Sequence, residues 1–272
     1  MSEQELITEC AKEVAKEVYQ DGGKPVVKAT GSLLGLVPRA IKAAFLPLEK
    51  WIVGREYNLA ETEKLLQLKL ENISPDQIES PEAHIAVPAL QYISYCMDNE
   101  ELRNMYANLL ANSMNSAVKN GVHPSFVEII KQLCPDEAKI LRQIYMETSI
   151  PVITIFEESK DNVCVDIVRE FSDIGERSQC EFPLKIDIYF DNLARLGLIQ
   201  REPHGIRLPD RDLYNNLCKN QYIQNKLTHY DKNKKNKRYR LEEGIISISS
   251  FGEAFCWICL DTHPREDKSL SN

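Results

Sequence analysis

Apolar residues recur at helical spacing through most of this chain and give way near its middle to a run of β-branched residues. In the opening segment, Glu3 to Tyr19, Leu6, Ile7, Cys10, Ala11, Val14 and Val18 fall on one helical face. Asp21-Gly22-Gly23-Lys24-Pro25 then breaks the pattern, which predicts a peripheral N-terminal helix over residues 1–29. The stretch from Thr30 to Val53 is the most apolar. Leu34, Val37, Ile41, Ala44, Leu48 and Trp51 line one face, and Arg39, Lys42, Glu49 and Lys50 lie mostly away from it.

That stretch does not read as a membrane span, because charges interrupt it and Pro38 and Pro47 would kink it. Two readings stay open. A buried helix pair is the commoner fate of such a face. An interfacial helix would place Trp51 at the membrane boundary and its lysines and arginines among headgroups. Leu34, Val37, Ile41, Leu48 and Trp51 are the candidate membrane or partner contacts.

A charged amphipathic helix is expected from Asn58 to Ile73, ended by Ser74-Pro75-Asp76, and another from Ile85 to Tyr95. Asp98 is placed to cap the next helix, with Glu101 completing a capping-box pattern. Leu102, Met105, Tyr106, Leu109, Leu110 and Met114 form a stripe that reads as core. Ser125 is expected to cap a helix from Phe126 to Leu133, with His123 and Pro124 shaping the corner. Together these elements predict a helical bundle over residues 30–133.

The second half changes character. Pro135 suits the first turn of a helix to about Tyr145, followed by a strand from Ile150 to Phe156. A short helix is expected near Val163 to Phe171. Another runs from Leu184 to Leu196 and ends at Gly197, where left-handed backbone is cheapest. Leu198 to Arg201, a returning strand from Gly244 to Ser249 and a last helix from Phe251 to Leu260 follow. That order is the order of a winged helix, a helix-turn-helix variant. Between the two wing strands lies an insertion, Glu202 to Glu243, with an amphipathic helix over about Asp210 to His229 and then a basic run. The expected fold is therefore mainly α with some β. An N-terminal helical bundle precedes a winged-helix-like domain over residues 134–262, with an inserted helix and a disordered tail at 263–272.

Composition narrows the function. With 43% hydrophobic and 27% charged residues in 272, the chain has ordinary globular usage. A net charge of −8 opposes non-specific attraction to nucleic acid or anionic lipid, so any such binding needs a local basic patch. The start is acidic, without the pattern of a signal peptide, and the eight scattered cysteines fit reduced thiols. The expected location is cytoplasmic, with a peripheral place at the inner membrane as the second option.

The basic run supplies the candidate phosphate contacts Lys232, Lys234, Lys235, Lys237, Arg238 and Arg240, with Tyr239 able to stack on a base. A solvated loop tip is the competing reading. It gains from the candidate recognition helix, where Lys185, Asp187, Asp191 and Arg195 sum to zero. Cys256-Trp257-Ile258-Cys259 has the spacing of half a metal site but no second pair, and packing is favoured. His123 has no nucleophile assigned to it. There is no phosphate loop, zinc-protease motif or serine elbow. No cofactor is expected, and the chain reads as a non-enzyme.

Pro81-Glu82 with Ala89-Leu90-Gln91-Tyr92-Ile93, Asp98 to Ala111, His123 to Leu133 and Pro135-Asp136-Glu137-Ala138 resemble the abortive infection alpha family. Leu193 to Ile199 and Ile248 to Phe255 also fit, and the resemblance spans about Thr30 to Leu260. It implies a bacterial, mostly helical protein associated with defence against phage, and it brings no catalytic or ligand residues with it. Three mechanisms compete. These are action on an unknown protein partner or on the membrane through the apolar N-terminal helices, nucleic-acid binding through the basic loop, and, last, enzymatic chemistry.

Overall fold

A computed structural model describes residues 56–71, 73–158, 164–203, 205–231 and 238–260, with side chains from Glu61 onward except at Glu158, Cys164 and Asp231. The chain is a mixed α+β protein with a helical majority. Its described residues form two compact units, 56–132 with 257–260, and 133–256.

The first unit holds α1 (Glu56–Leu70), α2 (Ala83–Ile93), α3 (Glu100–Ser113) and α4 (Ser125–Lys131). Helix α3 is its hub, packing against the other three. Leu66 and Leu70 from α1, Leu90 and Ile93 from α2, Met105, Tyr106, Leu109 and Leu110 from α3 and Phe126 and Ile130 from α4 are all buried. The expected stripe is thus core from Met105 to Met114, with Leu102 at its start only half-buried.

The caps differ from expectation. Asn99, not Asp98, starts α3, and its side chain accepts the Leu102 N–H at 3.0 Å. Glu100 and Glu101 then fall in the first turn, where the helix dipole favours them. Ser125 does not cap α4 either, because it lies inside the first turn and Pro124 precedes it. The His123 imidazole takes that role, its Nδ1 accepting the Ser125 N–H at 3.2 Å.

The second unit runs α5 (Pro135–Glu147), β1 (Ser149–Glu158), β2 (Cys164–Phe171), α6 (Ile174–Arg177), α7 (Ile186–Arg195), β3 (Ile199–Arg201), α8 (Arg211–Lys219), α9 (Gln221–Asp231), β4 (Arg238–Ile248) and the start of α10 (Ser250–Cys259), whose residues from Trp257 on belong to the first unit. The strands form one antiparallel sheet in the order β2-β1-β4-β3. One face carries Ile153 and Ile155 against Tyr214 and Leu217 of α8 and Ile223 of α9. Helix α5 packs on β1 and β4, and α7 on β2 and β3.

Two elements correct the sequence reading. The helix expected at Val163 to Phe171 is strand β2. Its register against β1 slips between Ile153–Phe171 and Ile155–Val168, and Glu170 there has φ +45°. A second slip, between Ile155–Val168 and Phe156–Asp166, follows at Ile167, and the two together turn Ile167, Val168 and Phe171 all inward, a spacing that imitates a helix. The inserted helix is two, because Asn220 leaves the helical region at ψ 137° and its Oδ1 accepts the Tyr222 N–H at 2.8 Å.

Two glycines fix close geometry. Gly197 ends the turn after α7 with φ +74°, as expected. Gly252 on α10 lies so near Leu198 that a Cβ there would meet the Leu198 carbonyl oxygen at 1.9 Å.

Candidate functional site

The first turn of α5 holds two buried carboxylates that grip α7. The Asp136 side chain, 5% exposed, accepts the N–H groups of Glu181 at 2.8 Å and Phe182 at 2.9 Å and the Tyr189 hydroxyl at 3.0 Å. Lys139 lies 4.0 Å away. Glu137 accepts from the Cys134 N–H at 2.7 Å, closing a capping box, and from Asn192 Nδ2 at 2.9 Å. Tyr189 and Asn192 are both on α7, so α5 positions that helix through charge-assisted hydrogen bonds.

The electrostatics of this clasp suit positioning. Burial pushes the Asp136 carboxyl upward, but the two N–H groups, the Tyr189 hydroxyl and Lys139 outweigh it and hold it below its ordinary 3.8. The Tyr189 hydroxyl is raised by burial and by its bond to Asp136. Burial and the Asp136 charge push the Cys180 thiol up to about 11, and burial raises Cys134. At neutral pH the acid is therefore ionised and both thiols are protonated.

Outside the clasp, α7 and the loop before it present an apolar surface. Ile188 is 60% exposed and Phe182 and Leu184 are each 48% exposed. Lys185 Nζ sits 4.0 Å from the Phe182 ring centroid. Beside them runs a balanced charge network. Asp191 of α7 meets Arg201 at 2.5 Å and Arg169 at 3.3 Å, and Arg201 grips Glu170 at 2.6 and 2.9 Å. Arg201 also borders a cleft of about 370 Å³ on the sheet, lined by Val152, Thr154, Glu170, Glu242 and Ile246 among others. Glu242 there pairs with Arg240 at 2.7 Å. The cleft thus carries paired charges.

The predicted contacts scatter differently. Lys232, Lys234, Lys235 and Lys237 lie outside the described residues, as do Leu34, Val37, Ile41, Leu48 and Trp51 and the tail at 263–272. Arg238 and Arg240 open strand β4, and Arg240 lies 5.0 Å from the Phe156 ring centroid. Cys256 and Cys259 are buried on α10, and burial holds the Cys256 thiol well above its ordinary range. Among the described residues, no three His, Cys, Asp or Glu side chains are grouped to hold a metal. His123 Nδ1 lies 2.6 Å from Ser125 Oγ, within the turn that opens α4.

Sequence reasoning missed Asp136 and also Asn108 and Asn112. These two asparagines of α3 donate to the carbonyls of Cys259 at 3.0 Å and Ile258 at 2.7 Å, the last carbonyls of α10. Polar residues four apart on a core-facing helix were the signal available.

The class defined so far is a mixed helical and antiparallel-sheet protein whose family-like motifs serve its architecture. The chain belongs to the abortive infection alpha family, whose model matches residues 54–259. No curated protein matches it. An uncharacterized protein from the hydrocarbon-degrading marine bacterium Alcanivorax borkumensis SK2 is similar at 15% identity and a TM-score of 0.36, over 54% of this chain and 96% of that one. No described helix is long and apolar enough to cross a membrane.

Proposed function

We propose that this chain is a non-enzymatic abortive-infection protein, and that its second unit is a winged-helix-like module that binds a protein partner through α7. Membership of the abortive infection alpha family supports the defence role. Helices α5, α6 and α7 followed by β3 and β4, with β1, β4 and β3 adjacent in that order, support the winged-helix reading. On it, β2 and the α8–α9 pair are additions.

The observation that carries the protein-contact reading is the exposed face of α7. In a DNA-reading winged helix this face is basic and polar. Here Ile188 is 60% exposed at its centre, Leu184 adjoins it, and Asp191 is engaged by two arginines. An apolar centre with a paired, charged rim is the anatomy of a protein interface.

The test is phage plating efficiency on bacteria expressing the chain. Leu184→Asp and Ile188→Asp should each abolish protection while circular dichroism and melting temperature stay near wild type. Full protection by either folded variant would overturn the reading. Lys234→Ala with Lys235→Ala should leave protection intact, and its loss would favour a nucleic-acid target instead. The membrane route rests on the sequence of Leu33 to Val53 alone, and early depolarisation on expression would point there.

A further inference from the structure

Cys134 and Cys180 are far apart in the sequence and converge on the first turn of α5. The Cys134 side chain caps that turn by accepting the Glu137 N–H. The Cys180 thiol donates to the Asp136 carbonyl, its Sγ 3.7 Å from the oxygen. That carbonyl and that N–H belong to one peptide unit, so the two sulfurs rest on the two ends of a single amide. Both side chains are half-buried, whereas Cys256 and Cys259 are sealed in the core on α10. The clasp holds the backbone at this meeting point. Glu181 and Phe182, the two residues after Cys180, donate their N–H groups to the Asp136 carboxylate at 2.8 and 2.9 Å.

We infer that Cys134 and Cys180 are a thiol pair that a small disulfide, such as oxidised glutathione, closes into a protein disulfide, fastening the loop that leads into α7 to the start of α5. The Cys134 thiolate attacks one sulfur of the small disulfide. That S–S bond breaks, a mixed disulfide forms on Cys134 and one small thiol leaves. The Cys180 thiolate then attacks Cys134 Sγ and expels the second small thiol. Two protein thiols are oxidised, one small disulfide is reduced, and the two protein protons end on the departing thiols.

The surroundings set the order of attack. Burial raises the Cys134 thiol, but the N–H groups of Glu137 and Asp136, at the positive end of a 13-residue helix, favour its thiolate, with the Glu137 charge opposing them. Cys180 faces the Asp136 charge instead. Burial and that charge push its thiol up to about 11, and Lys139 offsets only part of the rise. Cys134 is therefore the attacking thiol and Cys180 the resolving one. Both are protonated at neutral pH, so closure is slow there and quickens as pH rises. Closing the bond turns both sulfurs off the amide. The contacts given up are weak, because a thiol is a poor donor and a poor acceptor.

The experiment is oxidation of the full, folded chain by excess oxidised glutathione at about pH 8, quenched by alkylation and mapped by digestion and mass spectrometry. Wild type should yield a peptide linking Cys134 to Cys180 and offer two fewer thiols to the alkylating reagent. Closure should be about tenfold faster at pH 8 than at pH 7, in step with the thiolate fraction. Cys180→Ser should stop at the mixed disulfide, with glutathione held on Cys134, and Cys134→Ser should leave Cys180 a free thiol. The closed form should melt several degrees higher, and an unchanged or lower midpoint would overturn the fastening of the loop. Failure of wild type to react overturns the inference. So does glutathione lodged on wild-type Cys134 without closure, a linked peptide joining other cysteines, or a Cys134–Cys180 link that forms only in urea.

Discussion

Replacing Asp136 with alanine removes the acceptor for three donors at once, the N–H groups of Glu181 and Phe182 and the Tyr189 hydroxyl. A hydrogen bond to a charged group contributes about 1.5–3 kcal/mol, and a buried donor left without an acceptor costs about 1–3 kcal/mol. Glu181 and Phe182 are exposed residues whose N–H groups can find water, whereas Tyr189 is 6% exposed. The three losses therefore do not add fully. A net cost of about 3 kcal/mol is expected, a melting midpoint lowered by about 10 °C. Tyr189→Phe removes one donor and leaves the carboxylate its two backbone partners, so it should cost only about 1–2 kcal/mol.

The pH dependence gives a second reading of the same site. The folded carboxyl titrates below its ordinary value of 3.8, so as pH falls the unfolded chain takes up the proton first. The contribution of Asp136 is complete above the unfolded value and disappears as pH falls through the folded one. Urea unfolding of wild type and Asp136→Ala at pH 7, 5 and 4 and below measures this directly. The gap between them should hold from pH 7 to 5 and narrow below about 4. A gap under about 0.5 kcal/mol at pH 7, or one that widens in acid, would refute the reasoning.

Gly252→Ala should lower the melting midpoint by several degrees, because a Cβ at 1.9 Å from the Leu198 carbonyl forces α10 away from the turn it packs on. Differential scanning fluorimetry suffices, and an unchanged midpoint would show that the close approach relaxes freely. Asn108→Ala should cost about 1–3 kcal/mol by leaving the buried Cys259 carbonyl without its donor, with Asn112→Ala costing less because Asn112 is less buried. Hydrogen exchange at the end of α10 should quicken in Asn108→Ala more than elsewhere.

The helices were legible because each buries a stripe at 3.6-residue spacing, as Met105, Leu109 and Leu110 do on α3. Strand β2 was not legible, since the bulge at Glu170 breaks the two-residue alternation that marks a strand. The split at Asn220 was hidden for a similar reason. Apolar residues of α8 and α9 share one face, and only the asparagine that caps the second helix separates them. The clasp escaped because its partners are 45 to 55 residues away in the chain, at Glu181, Phe182, Tyr189 and Asn192. Nothing local to Pro135-Asp136-Glu137-Ala138 marks the carboxylates as buried. A helix N-terminus rich in acid is ordinarily a solvated one.

That burial ties the hidden clasp to the exposed face proposed for partner binding. Ile188 precedes Tyr189 on α7, so the side chain that presents the apolar surface and the one that anchors the helix are adjacent in sequence and opposite in role. Asp136→Asn keeps the shape of the carboxyl but sets an amide where three donors converge, so it should loosen α7 and cost about 2 kcal/mol. Its effect on phage protection should then track temperature, small at 25 °C and large near the lowered midpoint. Ile188→Asp should cost little stability and remove protection at every temperature. If Asp136→Asn lost protection at 25 °C while remaining fully folded, the carboxylate would be acting at the interface itself and the division between anchor and contact would fail.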